Sequence, residues 1–176
     1  MDIAPDDAIA PDTKDWTWVL ERPCPQCGLD ARAVEPEDLG AGLRDLLPRW
    51  QSVLGRPDAG ERPDAATWSP LEYGCHVRDV CRLMRTRLDA VLRDDDPVFA
   101  DWDQDAAAAG YAGAGPAAVW RELADAGTDL AAALDALRPE QRDRPGRRSD
   151  GATFTATTLG RYALHEVAHH TWDVRG

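Results

Sequence analysis

Four times along the chain, large apolar residues recur at the three-and-four spacing of a helix, and nowhere do they alternate long enough to build a sheet. Leu39, Leu43, Leu46, Leu47, Trp50 and Leu54 form the first stripe, and Tyr73, Val77, Val80, Met84, Leu88 and Val91 the second. Val119, Trp120, Leu123, Leu130, Leu134 and Leu137 form the third, and a fourth helix is expected from about residue 155 to 172. One-faced helices without paired strands predict an all-α four-helix bundle. Ser69, Pro70 and Glu72 spell a capping box at the start of the second helix. Pro36 and Pro116 stand at first helical positions, and Pro48 predicts a kink or restart inside the first stripe. Residues 16–20 (W-T-W-V-L) are strand-like but too few to anchor a sheet.

A length of 176 residues fits one ordinary domain. We divide it into an N-terminal extension with a Cys-x-x-Cys turn, residues 1–34, and the bundle, residues 35–176. Residues 1–15, rich in Asp, Pro and Ala, read as a tail that orders only by docking. Twenty basic residues against 32 acidic give a net charge of −12. That surface repels phosphate backbones and anionic lipid, so neither nucleic acid nor a membrane is an expected partner. No apolar run approaches the ~20 residues that span a bilayer, and the acidic N-terminus does not resemble a signal peptide. The expected location is the cytoplasm, where Cys24, Cys27, Cys75 and Cys81 serve as thiols or metal ligands rather than structural disulfides.

Three of the four histidines lie in the last helix. His165 and His169, four residues apart, share a face with Tyr162 and Trp172 that is expected to point inward. A neutral imidazole pair at this spacing can hold one metal ion. His76, beside Tyr73, Val77 and Val80, can face the same interior, which predicts a metal site of His76, His165 and His169. The bland alternative is three hydrogen-bonded core histidines. His170 is turned about 100° from His169 and reads as a supporting or surface residue. His165-Glu166-Val167-Ala168-His169 also spells the zincin protease motif, but too little chain follows His169 to supply its third ligand.

The segments W-S-P-L-E-Y-G-C-H-V-R-D-V (68–80), R-S-D-G-A-T-F-T-A (148–156) and L-H-E-V-A-H-H-T-W-D-V (164–174) resemble the DinB/YfiT-like superfamily. The resemblance implies an up-down-down-up four-helix bundle with a long crossover. It also implies a divalent metal, commonly zinc or nickel, held by three side chains that match His76, His165 and His169. Characterised relatives are thiol-dependent transferases and isomerases, including mycothiol-dependent maleylpyruvate isomerase. The Ala-, Arg- and Asp-rich composition, typical of high-GC coding, points to mycothiol as the thiol. The C-P-Q-C-G turn lies outside the family motif.

Three imidazoles leave zinc an open position where an incoming thiol binds as thiolate, a strong nucleophile. The expected function is therefore a metal- and thiol-dependent S-transferase or isomerase acting on a small electrophile. The alternatives are a metal-dependent hydrolase and a metal-binding stress-response module without turnover. The expected partners are a small-molecule thiol and the electrophile, with a homodimer left open. Glu166, Asp79 and Asp173 are candidates to orient ligand histidines, and Tyr111 and Arg161 to contact substrate; for each, an ordinary surface or packing role is the alternative. Cys24 and Cys27 are half of a zinc ribbon without its second half. They read as a second metal site borrowing Cys75, Cys81 or a histidine, as a redox dithiol, or as a plain turn. Cys75 and Cys81 read as small buried apolar residues.

Overall fold

A computed structural model describes residues 9–10, 14–111 and 113–176; most of the predicted tail lies outside these. The helices are α1 (Leu39–Leu54), α2 (Pro70–Arg93), α3 (Gln104–Ala108), α4 (Pro116–Asp135) and α5 (Ala156–Asp173). Short strands β1 (Val98–Phe99), β2 (Pro145–Arg148) and β3 (Thr153–Thr155) form one small sheet, with β1 parallel and β3 antiparallel to β2.

The long helices α1, α2, α4 and α5 form a four-helix bundle. Both α4 and α5 pack against α1 and α2, so the sequence neighbours α1 and α2 sit diagonally. Directions follow from particular contacts. Leu47 of α1 meets Gly127 while Gly40 meets Ala131 and Asp135, so α4 runs antiparallel to α1. Gly42 meets Leu164 and Leu39 meets Gly160, so α5 runs parallel to α1. Arg78 pairs with Glu122 and Arg85 with Asp129, which makes α2 parallel to α4. The order is up-down-down-up, and the crossover from α2 to α4 carries β1 and α3. Gly127 and Gly160 permit the close approaches: a Cβ on Gly160 would stand 2.7 Å from a Leu134 methyl, and one on Gly127 2.8 Å from a Leu47 methyl.

Helix starts are set locally. The Ser69 hydroxyl accepts from the Glu72 amide while the Glu72 carboxylate accepts from the Ser69 amide at 2.8 Å, closing the expected capping box. Thr155 and Thr158 do the same for α5. Pro48 neither breaks nor restarts α1, which runs unbroken through it; Leu47, Trp50 and Val53, buried on either side, hold the helix together at the cost of one ladder bond. The strand-like W-T-W-V-L segment instead forms a 3₁₀ turn, Thr17–Leu20. It packs on α5 with Val19 buried, because burial of one side chain per turn suffices where no strand edge is offered. Among the described residues, no helix is long and apolar enough to cross a membrane.

Candidate metal centres

Helix α5 carries two interleaved pairs, His165/His169 and Glu166/His170, each one helical turn apart and offset by about 100°. The structure gives each pair its own company. Glu166 and His170 meet His76 of α2, and the three offer donor atoms within 4.8 Å of one another. His165 and His169 face the N-terminal turn, where they form a second such group with Cys24 and Cys27. Among the described residues, His76 therefore does not gather with His165 and His169 as the spacing suggested. The reason is rotational: with His165 fully buried on one side of α5, the residue one step on, Glu166, turns toward α2.

In the first group Glu166 Oε2 lies 4.0 Å from His76 Nε2 and 3.6 Å from His170 Nε2. Burial opposes ionisation of Glu166, but the His165, His170 and His76 imidazoles around it prevail and hold the carboxyl well below its ordinary range. Burial lowers the His76 pKa. Burial also disfavours the His170 cation, yet Asp173 and Glu166 outweigh it and raise the pKa to about 9. His170 Nδ1 lies 2.8 Å from Asp173 Oδ2. Donation to that carboxylate fixes the tautomer that leaves Nε2 free toward Glu166. His76 stacks on Trp102 with centroids 5.3 Å apart, and its Nδ1 is buried without a hydrogen-bond partner. A half-buried carboxylate flanked by two imidazoles, one of them carrying an orphaned nitrogen, fits a divalent cation.

Two cavities meet at this group. One, of about 590 Å³, is lined by His76, Glu166, Tyr162, Trp102 and Arg87; the other, of about 340 Å³, by His76, Glu166, His170, Tyr73 and Trp68. Trp16 of the extension borders both.

These placements match a known architecture. A model of the DinB superfamily matches residues 44–174. The chain belongs to the DinB superfamily. No curated protein matches it. Among solved structures, this DinB-superfamily chain is similar to YfiT from Bacillus subtilis, described as a probable metal-dependent hydrolase with an unusual four-helix bundle topology. The TM-score is 0.69 at 17% identity, covering 79% of this chain and 85% of that one.

Other candidates have different duties. The Tyr111 hydroxyl donates to Asp79 at 2.9 Å, and Asp79 also takes Arg78, so this pair anchors the crossover to α2. Arg161 donates twice to the Val34 carbonyl, fastening the extension to α5 away from the cavities. Cys75 and Cys81 are buried on α2, and burial pushes both thiols up. Trp172, expected inward, is 48% exposed. Glu166 and His170, not expected as ligands from the sequence, repeat the one-turn spacing of His165 and His169.

Proposed function

We propose that the chain is a metal- and thiol-dependent transferase or isomerase, with His76, Glu166 and His170 holding the metal. The observation that carries this reading is the junction of two cavities at His76 and Glu166, with His170 lining one of them. A one-substrate hydrolase needs one chamber and a water, whereas two reactants meeting at a thiolate need two. When bound, the divalent ion supplies a positive charge at which a thiol loses its proton at neutral pH, and three protein donors leave it an open position.

The surrounding side chains bind and orient. Asp173 holds the His170 ring in one tautomer. Glu166 lowers the net charge of a bound dication to about +1, which moderates its pull on the reacting groups. Trp102 and Trp68 flank His76, at 5.3 and 5.4 Å between ring centroids, and keep water from it. Tyr162, buried and bordering both cavities, has its phenol pushed up chiefly by burial, so it stays protonated and can donate to a substrate oxygen.

A second reading is a metal-dependent hydrolase, favoured by the two-imidazole, one-carboxylate donor set, which is also a hydrolytic zinc set. Zinc-loaded protein should consume an α,β-unsaturated acid or epoxide only when a low-molecular-weight thiol is present, and His76→Ala or Glu166→Gln should abolish turnover. Equal turnover of an ester or amide without thiol would transfer the assignment to the hydrolase.

A further inference from the structure

The N-terminal extension contains a turn whose geometry the proposed enzyme activity does not use. The Cys24 amide donates to the Leu29 carbonyl and the Gly28 amide to the Cys24 carbonyl, each at 2.9 Å. Gly28 takes φ +77°, the left-handed conformation glycine adopts readily. This folds Cys27 back beside Cys24. Cys24 is 1% exposed and points at α5, with Sγ 3.6 Å from His169 Nδ1. In a tetrahedral zinc site with bonds of ~2.3 Å to sulfur and ~2.0 Å to nitrogen, the sulfur–nitrogen edge is about 3.5 Å.

His165 supplies an independent observation. It is 0% exposed, and neither ring nitrogen has a hydrogen-bond partner; Glu166 Oε1, at 3.9 Å, is out of reach. A fully buried imidazole with two orphaned nitrogens is destabilising unless something ligates it. Cys24, Cys27, His165 and His169 bring donors within 4.8 Å of one another, two sulfurs and two nitrogens.

From this we infer that Cys24, Cys27, His165 and His169 form a second, structural zinc site that clamps the extension onto α5. Binding releases the two thiol protons, and two thiolates cancel the charge of Zn²⁺. The largely buried unit is then neutral, which lowers the cost of taking it out of water. Its ligand set is closed, unlike the three-donor group around Glu166. The clamp also positions a wall of the substrate chamber: Trp16 packs on His169 and His165, at 5.1 and 6.2 Å between centroids, and borders both cavities.

The test is cobalt substitution in the full chain under reducing conditions. Before any small thiol is added, the wild-type spectrum should show intense thiolate-to-cobalt charge-transfer bands with tetrahedral d–d bands. Cys24→Ser/Cys27→Ser should lose them, and His76→Ala/His170→Ala should keep them. His169→Cys, which preserves the ligand count, should raise the charge-transfer intensity by about half, because three thiolates replace two; this readout holds even if the double serine variant does not fold. A wild-type spectrum without thiolate bands overturns the inference, as do bands that survive in Cys24→Ser/Cys27→Ser. Loss of the bands in His76→Ala/His170→Ala also overturns it, because the cysteines would then ligate a metal held by His76 and His170 rather than by His165 and His169. None of these readouts depends on turnover, so the transferase reading can fail separately.

Discussion

At the residue scale the account turns on Glu166. Its Oε2 faces His76 and His170, and its Oε1 faces His165, so one carboxylate lies between the two groups. The one-turn spacing of His165 and His169 was legible in the sequence, and so was the reach of His76 toward the interior. The partition between two faces was not. Neighbouring residues on a helix differ by about 100°, and a spacing argument cannot say which of two interleaved pairs looks toward α2. That choice is made by burial of the rest of α5, with Leu159, Ala163 and Val167 inside. Cys24 joined the histidines across 145 residues of chain, a separation no local pattern encodes. At this scale Asp173 is the test of ligand orientation. Asp173→Ala should weaken metal binding at the His76 group by about 10–100-fold, read by competition with a chromogenic chelator, while far-UV circular dichroism stays unchanged. Undiminished affinity would mean that His170 is held by something else.

At the element scale the helices were legible because their signals are local. Ser69 and Glu72 mark the start of α2 within four residues, and the structure closes that box. Ser69→Ala should cost about 1 kcal/mol, seen as a lower urea midpoint with an unchanged slope. The small sheet was not legible. Pro145–Arg148 reads P-G-R-R, with none of the β-branched or aromatic residues that advertise a strand. Its pairing is imposed by tertiary context: Gly146 lies against Phe99 and Val91, where any larger residue would collide. Close packing also sets the helix crossings. Gly160→Ala pushes a methyl into Leu134 and Leu39 and should destabilise by about 1–3 kcal/mol. A neutral result in the same urea titration would mean that α5 can shift away from α1 and α4.

At the scale of the whole molecule, the up-down-down-up order brings α2 and α5 side by side and antiparallel. That arrangement lets His76, near the start of α2, meet His170, near the end of α5. The bundle class followed from four apolar stripes, whereas the docking of the extension depended on contacts far apart in sequence. Val19 and Ala31 are buried against the body, and Arg161 holds Val34. If a metal completes that attachment, a strong chelator should make the chain sensitive to trypsin at Arg32 while the bundle core survives. Equal resistance with and without chelator would show that packing alone holds the extension.

The most direct measurement is anomalous diffraction at the zinc edge from crystals of the zinc-loaded protein. Two peaks are expected, one enclosed by Cys24, Cys27, His165 and His169 and one bounded by His76, Glu166 and His170. A single peak coordinated by His76, His165 and His169 together would contradict that assignment.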